Sequence, residues 1–389
     1  MDPGNIRTVT VSARGAARWA AGHPWIYRSD LTGSCDTPGL VRVLDPRGRF
    51  LGQALHSPAS EIRLRLLERA ETLIDGVWWE RRLRTCLAQR DPIDATGYRV
   101  VHGEGDGLPS LIVDRYDRWA VVQLLSAGLE TFRQPILDAI ERVLAPAGIL
   151  LRHDASVRRH EGLSQQVELA RGEVPERIEI REGGVRYAAA PWTGQKTGAF
   201  LDQRPNRLRA GALARPGGRA LDCFSYHGSF ALHLARTSAE VLAVEQSEEA
   251  VARGMENAGR NGLTNVFWRP GNAFDVLAEL DRARERFDTI VLDPPAFAKT
   301  RDALVRALRG YHEINRRAMR LLAPGGILVT ASCSYHLRRP DFEAMLASAA
   351  GAAARRVVVL ERLGQGIDHP EVLTIPETGY LKGAALAAE

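Results

Sequence analysis

A single stretch in the C-terminal half of the chain, Asp222-Cys223-Phe224-Ser225-Tyr226-His227-Gly228-Ser229-Phe230, joins an apolar run to a helix-like segment. An acidic residue at the end of a predicted strand, followed by a turn and a helix, is typical of ligand-binding loops in α/β proteins. The stretch retains one glycine, Gly228, so it lacks the GxGxxG pattern that cradles a pyrophosphate. It therefore favours a cationic ligand without phosphate, and an ordinary strand-to-helix turn is the alternative.

The pattern around this stretch predicts alternating strands and helices. The apolar runs predicted as strands are Ala220–Phe224, Val241–Val244, Val266–Trp268, Thr289–Leu292, Ile327–Ala331 and Val357–Leu360. Helices are expected near residues 230–236, 248–261, 303–322 and 340–353. Such alternation predicts an α/β fold with a parallel sheet covered on both faces, whose ligands bind at the carboxyl ends of the strands.

Polar residues follow several of these predicted strands. Glu245 lies 23 residues after Asp222, an offset at which an acid commonly binds ribose hydroxyls. Asn272 follows the third strand, where its amide could bind an adenine edge. A solvent-exposed Glu245 without a ligand is the alternative explanation for that residue.

The fourth and fifth strands end in residues suited to catalysis. Asp293 stands at the end of an apolar strand and is followed by Pro294 and Pro295, which restrict the backbone. An aspartate fixed in this way is a poor choice for mere packing, so we interpret it as a functional residue. Cys333 stands between two serines and is expected to face the same crevice as Asp293. We interpret it as a nucleophile, whereas Cys86 and Cys223 are expected to be small buried apolar residues.

The rest of the chain predicts two smaller domains. Residues 42–51 form two short runs around Pro46-Arg47-Gly48, which indicates a β-hairpin, and residues 62–67 predict a strand. Helices are expected over 75–90 and 131–144, a strand over 119–125 and a hairpin over 178–187. We therefore predict domains at residues 1–70, 71–185 and 186–389.

Composition excludes several classes of protein. Of 389 residues, 45% are hydrophobic and 25% charged, which is typical of globular domains and not of disordered or disulfide-scaffold chains. No apolar run approaches the roughly 18 residues of a membrane helix, and the N-terminus does not resemble a secretion signal. The four cysteines have no metal-site spacing. These features predict a cytoplasmic protein with no metal and no membrane partner.

The net charge of +5 permits a nucleic-acid partner without requiring one. Among the 52 basic residues only Lys196, Lys299 and Lys382 are lysines, and codon bias is a sufficient explanation for the arginine surplus as a whole. Lys196 and Lys299 each stand beside a segment expected to line the site. We predict that both contact the substrate, because a flexible ammonium can reach where a planar guanidinium does not fit.

The order of these strand-end residues along the chain resembles that of the motifs in class I S-adenosylmethionine-dependent methyltransferases. The segment from Gly194 to Arg207, which contains Lys-Thr-Gly-Ala-Phe-Leu-Asp-Gln-Arg, is similar to the signature of bacterial 23S rRNA cytosine-C5 methyltransferases, as are residues 103–108, 111–116 and 222–228. The resemblance covers essentially the whole chain. It implies a β-rich PUA domain, a small central α+β domain and a Rossmann-like catalytic domain, which correspond to the three predicted blocks.

The resemblance also implies roles for particular residues. Cys333 corresponds to the nucleophile and Asp293 to the acid at the methyl-transfer face. Phe297 or Tyr335 is expected to stack on a flipped cytosine. The residues implied to bind S-adenosylmethionine are Gln203, Arg204, Asp222, Phe224, Ser225, Tyr226, Gly228, Glu245, Asn272, Ala273 and Asp293. The implied partner is 23S rRNA or a large-subunit precursor, and a homodimer is left open.

One position departs from the related two-cysteine RNA cytosine methyltransferases, which have a second cysteine where this chain has Ala296. The Asp-Pro-Pro motif also occurs in RNA guanine-N2 methyltransferases, which need no thiol, and this activity is the main alternative. A non-catalytic RNA-binding factor and a nicotinamide dehydrogenase are the further alternatives. The intact Asp293 and Cys333 oppose the first, and the missing glycine-rich loop opposes the second.

Overall fold

The computed structural model describes residues 6–33, 35–298 and 302–389. The described chain divides into two compact units. The first comprises the described parts of Met1–Ile180, Ala189–Leu201 and Ile367–Gly379, and the second comprises those of Arg181–Ala188, Asp202–Gly366 and Tyr380–Glu389.

The N-terminal part of the first unit is a β-sheet. Its elements are β1 (Arg7–Val11), α1 (Ala13–Ala20), β2 (Trp25–Tyr27), β3 (Leu31–Thr32), β4 (Gly39–Leu44), β5 (Phe50–His56) and β6 (Ile62–Glu68). In the described residues the strands lie in the order β2-β6-β5-β4-β1-β3. The predicted hairpin is confirmed as β4 and β5, and its turn is stabilised by Asp45, whose carboxylate accepts hydrogen bonds from the backbone N–H of Arg47 and Arg49.

A second sheet follows in the same unit. Its elements are α2 (Gly76–Ala88), β7 (Gly97–His102), β8 (Leu111–Tyr116), β9 (Trp119–Leu124), α3 (Ala127–Glu130), α4 (Arg133–Leu144), β10 (Gly148–Arg152), α5 (Val157–His160) and β11 (Val167–Gly172). The strand order is β11-β10-β9-β8-β7. The predicted helices are confirmed as α2 and α4, and Trp79, Leu83 and Ile136 are fully buried in the core that they share with the sheet.

The second unit is built on a larger sheet. Its elements, with the hairpin that precedes them, are β12 (Ile178–Glu182), β13 (Val185–Ala189), α6 (Arg204–Leu213), β14 (Arg219–Cys223), α7 (Ser229–Ala235), β15 (Glu240–Glu245), α8 (Glu248–Arg260), β16 (Val266–Pro270), α9 (Ala273–Arg282), β17 (Phe287–Leu292), α10 (Leu304–Leu321), β18 (Leu322–Ser332), α11 (Arg339–Ala352), β19 (Val357–Leu363) and β20 (Lys382–Ala388). The strand order is β16-β15-β14-β17-β18-β20-β19.

The prediction of a purely parallel sheet is wrong for one strand. β20 is antiparallel to both of its neighbours, β18 and β19. Its sequence is rich in alanine, which has a low intrinsic preference for strands, so no strand is predicted there. Burial between two strands stabilises it instead, and Gly383 permits the close approach, because a Cβ there would lie 3.0 Å from the Cβ of Leu363. Helices α6 and α9 are also absent from the prediction.

The connectivity of this sheet creates a crevice at its centre. From β14 the chain proceeds outward to β15 and β16, and then crosses to β17 on the opposite side of β14. The carboxyl ends of β14 and β17 therefore flank a topological switch point, where open α/β sheets bind their ligands. One apolar core lies between the sheet and α9, α10 and α11, and another between the sheet and α6 and α7. The predicted coverage of both faces is confirmed.

Candidate active site

Three carboxylates lie at the carboxyl ends of neighbouring strands, at Asp222, Glu245 and Asp293. The Asp222 side chain is fully buried; its Oδ2 accepts a hydrogen bond from the N–H of Ala231 at 2.9 Å. Its Oδ1 has no hydrogen-bond partner among the described residues. Burial raises the pKa of Asp222 well above its usual value, and the nearby charges of Asp293 and Glu245 raise it further. The crevice is thus lined by three acidic side chains and contains a buried acceptor for which the described residues supply no donor.

The loop after β14 has a strained backbone. Phe224 and Tyr226 have φ angles of 63° and 51°, in the left-handed region that non-glycine residues seldom adopt. Such conformations cost about 1–3 kcal/mol each and persist where surrounding contacts impose them. Here Ser225 donates its N–H to the carbonyl of Val244, and Tyr226 donates its N–H to Oε2 of Glu245 at 2.8 Å. The loop is therefore held against the end of β15.

Glu245 and Asn272 are both oriented by backbone groups. Besides Tyr226, Glu245 accepts the N–H of Ser247 through Oε1 at 2.9 Å. Asn272 is the N-cap of α9, and its Oδ1 accepts the N–H of Phe274 at 2.9 Å, so that Ala273 begins the helix as a buried residue. The side chains predicted to contact a ribose and an adenine thus have defined positions at the ends of adjacent strands β15 and β16.

Asp293 is held by the segment that precedes α6. The Nε2 of Gln203 donates to Oδ1 of Asp293 at 2.6 Å, and its Oε1 accepts from Nδ2 of Asn206 at 2.6 Å. Arg204, the first residue of α6, is buried. A side-chain amide whose own orientation is fixed therefore holds one oxygen of the Asp293 carboxylate.

Cys333 follows β18 in a loop that is tied to the Asp293 segment. Cys333 is partly exposed, whereas the flanking Ser332 and Ser334 are fully buried. The Oγ of Ser334 accepts the N–H of Ala298 at 3.2 Å and lies 2.9 Å from the hydroxyl of Tyr311 on α10. Hydrogen bonds thus join the loop that carries Cys333 to the segment that follows Asp293.

The two aromatic residues predicted to stack on substrate have different surroundings. Phe297 packs in an aromatic cluster with Phe224, Phe274 and Tyr311, and its ring centre lies 4.6 Å from that of Tyr311. Tyr335, two residues after Cys333, is 56% exposed. Tyr335 is thus the more accessible of the two, and stacking by either residue stays a prediction.

The predicted lysine contacts also stay predictions. Lys196 lies in the first unit, where its ammonium is 4.8 Å from the centre of the Phe200 ring. Lys299 lies outside the described residues. The neighbouring Thr197 donates to the carboxylate of Asp114 at 2.5 Å and lies 2.9 Å from the hydroxyl of Tyr116. Two of the signature segments noted in the sequence are therefore in direct contact within this unit.

A buried charge network that joins β12, β13, α6 and α7 was not predicted. Glu182 of β12 binds the guanidinium of Arg207 on α6 at 2.8 and 2.5 Å, and it also contacts His233 on α7 at 3.0 Å and the hydroxyl of Tyr187 at 2.9 Å. Burial opposes ionisation, but the charge and hydrogen bonds of Arg207 lower the pKa of Glu182 to about 2. The residues of this network are spread over some fifty positions of the sequence and share no motif, so no local sequence pattern identifies them.

Two of the other cysteines fit their predicted packing role. Cys86 and Cys223 are buried, and burial raises the pKa of Cys86 to about 12. Within the described ranges, His, Cys, Asp and Glu side chains form no group of three or more able to hold a metal ion. Nor does any helix in that part of the chain have the length and apolarity needed to cross a membrane.

Comparison with known proteins places the chain in a family. Residues 98–382 match the S-adenosylmethionine-dependent methyltransferase family and residues 9–69 match the PUA-like domain. Proteins named ribosomal RNA large subunit methyltransferase I, from Erwinia tasmaniensis and Aeromonas salmonicida, are each 38% identical to this chain. The first match covers 93% of this chain and 94% of the relative, and the second 94% and 95%.

Solved structures share the fold. A putative SAM-dependent methyltransferase from Streptococcus mutans has a TM-score of 0.82 at 19% identity, and covers 98% of this chain and 100% of its own. A putative methyltransferase complexed with SAH has a TM-score of 0.84 at 19% identity, with the same coverage. The predicted Rossmann-like methyltransferase fold with a β-rich PUA domain is thereby confirmed. The chain belongs to the S-adenosylmethionine-dependent methyltransferase family and carries an N-terminal PUA-like domain.

Proposed function

We propose that this protein methylates C5 of a cytosine in 23S ribosomal RNA through a covalent bond between Cys333 and C6 of the base. The observation that carries the proposal is that the segments bearing Cys333 and Asp293 are linked. The two residues follow adjacent parallel strands, and hydrogen bonds among Ser334, Tyr311 and Ala298 connect their segments. The names of the relatives support a ribosomal RNA substrate, and the PUA-like domain supports RNA binding.

The crevice at β14 and β17 fits S-adenosylmethionine. The cofactor carries a sulfonium and an ammonium group, and the three carboxylates at the strand ends create the negative potential that suits such cations. The buried Oδ1 of Asp222 offers an acceptor for an N–H donor. Glu245 would hold the ribose hydroxyls, and the loop after β14 would supply backbone contacts. When bound, the cofactor supplies an electrophilic methyl group.

The chemistry of cytosine explains the need for a thiol. C5 is a weak carbon nucleophile, and addition of the Cys333 thiolate to C6 moves the electron pair of the C5–C6 double bond toward C5 and the ring. Protonation at N3 by Asp293 neutralises the charge that develops. After C5 has accepted the methyl group, N3 returns its proton to Asp293 and C5 loses its own proton to a base. The electron pair of that C5–H bond restores the C5–C6 double bond, and the C6–S bond breaks with its electron pair returning to sulfur.

Gln203 has a positioning role in this scheme. Its hydrogen bond to Oδ1 of Asp293 fixes the plane of the carboxyl group that acts on N3 of the base. The target base must leave its stack to reach such a crevice, and the exposed ring of Tyr335 is suited to stack on it. Because Ala296 cannot act as a second thiol, removal of the C5 proton requires another base, for which water is sufficient.

The covalent step is tested with RNA that contains 5-fluorocytosine, because fluorine at C5 cannot leave as a proton does and traps the adduct. We expect a complex with the wild-type protein that survives denaturation, and none with Cys333→Ala. Cys35→Ala is the matched control, since Cys35 is a second partly exposed cysteine outside the proposed site. Failure of the wild type to form the complex, or its persistence in Cys333→Ala, contradicts the proposal.

Methylation of guanine N2 is the second candidate, favoured by the Asp293-Pro294-Pro295 sequence after β17. An exocyclic nitrogen accepts a methyl group without a thiol, so this activity predicts that Cys333→Ala retains most of its turnover. Nucleoside analysis of ribosomal RNA methylated by the purified protein separates the two products. A homodimer, a cytoplasmic location and the domain limits at residues 70 and 185 stay predictions.

A further inference from the structure

A buried lysine lies directly beside the loop that carries Cys333. Lys382 is the first residue of β20 and is 4% exposed. In the antiparallel pairing of β18 and β20 it stands opposite Ser332, the residue before Cys333. Its ammonium donates to the carbonyl oxygen of Ser334, the residue after Cys333, at 2.7 Å, and to that of Tyr380 at 2.7 Å. Lys382 thus contacts the chain immediately next to Cys333.

We infer that Lys382 is a positioning residue, whose ammonium fixes the Ser332–Ser334 loop and stabilises the thiolate form of Cys333. The inference rests on the proposed function, in which Cys333 is the nucleophile. A thiolate, not a thiol, adds to a carbon electrophile, and cationic side chains nearby are what favour the thiolate in proteins. Burying an ammonium costs free energy unless hydrogen bonds and opposite charge compensate it, and a thiolate at Cys333, which is adjacent in sequence to the contacted Ser334, provides such charge.

The loop is fixed from two sides. On one side Lys382 binds the carbonyl of Ser334, and on the other the Oγ of Ser334 binds the N–H of Ala298 and the hydroxyl of Tyr311. The carbonyl and the hydroxyl of Ser334 are therefore engaged, as is its N–H, which donates to the Oγ of Ser332, so the peptide after Cys333 has little freedom to move. A thiol held in this way is pre-organised for attack, because a small displacement of a nucleophile greatly reduces its rate.

The neighbouring titratable groups leave this role to Lys382. Burial raises the pKa of Tyr311, which keeps its hydroxyl neutral at ordinary pH. Arg339 at the start of α11 donates to the carbonyls of Gly383 and Leu363. Other titratable groups on the surrounding elements include the acidic Asp293 after β17, Tyr335 and His336 in the loop itself, and Tyr380, whose hydroxyl donates to Asp202.

The test measures the reactivity of the Cys333 thiol and does not depend on methyl transfer. The full-length protein is alkylated with iodoacetamide over a range of pH, and the labelled peptides are quantified by mass spectrometry. We expect the pH midpoint of Cys333 alkylation to rise by about one pH unit in Lys382→Met. Alkylation near neutral pH should then slow about tenfold. Lys382→Arg, which keeps the charge, is expected to retain most of the wild-type midpoint.

Two controls separate an effect of the Lys382 charge on Cys333 from a general loss of stability. Arg355 donates to the carbonyls of Leu322 and Ala323 at the other end of β18, so Arg355→Met removes similar contacts far from Cys333. It is expected to lower the melting temperature without moving the Cys333 midpoint. Cys35, in the first unit, is an internal control whose midpoint should be the same in every variant.

An unchanged Cys333 midpoint in folded Lys382→Met overturns the inference, and so does an equal rise in Arg355→Met. If Lys382→Met does not fold, the wild-type titration decides: a Cys333 midpoint at or above the ordinary thiol value of about 8.5 contradicts the inference. The two proposals fail separately. Activity that survives in Cys333→Ala refutes the covalent mechanism, whereas an unmoved midpoint with an intact fluorocytosine adduct refutes only the role of Lys382.

Discussion

Neutralising Glu182 should strongly destabilise the second unit, although Glu182 is far from Cys333 along the chain. In Glu182→Gln, the guanidinium of Arg207 loses its anionic partner while both side chains are 2% exposed. His233 and Tyr187 also lose the carboxylate that they contact. The positive charge of Arg207 then stays buried between β12, α6 and α7 without the carboxylate that accepts two of its hydrogen bonds.

The magnitude follows from the titration of the carboxyl. The pKa of Glu182 falls from 4.5 to about 2 on folding, chiefly because the effect of Arg207 outweighs that of burial. At about 1.4 kcal/mol per pH unit, ionised Glu182 contributes about 3 kcal/mol. Removal of one partner of a buried ion pair typically costs about 3–5 kcal/mol, and a domain has only about 5–15 kcal/mol of stability in total.

The pH dependence has a definite sign. Because the folded pKa is the lower one, the contribution of Glu182 is fully present above pH 4.5 and is lost as the pH falls toward 2. Wild-type stability should therefore decrease over this interval, and that of Glu182→Gln should decrease less. Since α6 begins next to Gln203 and α7 follows the loop after β14, which is proposed to bind S-adenosylmethionine, we also expect the variant to bind this cofactor more weakly.

The loss in free energy of unfolding is measured by urea denaturation, which is monitored by tryptophan fluorescence and circular dichroism. The matched control is Arg209→Met, which removes the ion pair between Arg209 and Glu361 on the exposed side of the same helix and should cost no more than about 1 kcal/mol. The double variant Glu182→Met/Arg207→Met should be more stable than the sum of its single variants predicts, because it leaves no unpaired charge. A loss below 1 kcal/mol in Glu182→Gln, or additive losses in the double variant, refutes the reasoning.

The other predictions concern the site itself. Asp222→Asn should weaken cofactor binding at least tenfold by calorimetry, because it removes the charge beside the buried acceptor Oδ1; unchanged affinity contradicts the assignment. Ser334→Ala removes the acceptor of the Ala298 N–H and the hydroxyl that lies within hydrogen-bond distance of Tyr311, which should cost about 1–3 kcal/mol and reduce the yield of the fluorocytosine adduct; a full yield contradicts the link between the two loops. Tyr335→Ala should raise the KM for RNA about fivefold or more and Tyr335→Phe should not, because stacking requires the ring and not the hydroxyl; equal effects of both variants contradict stacking.

Local sequence patterns were sufficient to predict the features that depend on neighbouring residues in the chain. The turn at Asp45 was predictable because an aspartate oxygen accepts nearby backbone N–H groups in a tight turn. The acids at the ends of β14, β15 and β17 were predictable because strand ends meet at one edge of a parallel sheet. By contrast, the helix that starts at Ala273 was missed, although its N-cap, Asn272, was recognised as a polar residue after a strand.

The amino-acid sequence by itself determined the fold class, the position of the crevice and the identity of Asp222, Asp293 and Cys333 as its candidate residues. These conclusions need only hydrophobic periodicity and the chemistry of side chains at strand ends. Tertiary structure alone decided that alanine-rich β20 enters the sheet, since burial between two strands outweighs its weak intrinsic preference. That insertion brings Lys382 next to Cys333, 49 residues away in the sequence, a proximity that arises from long-range pairing and leaves no local pattern to read.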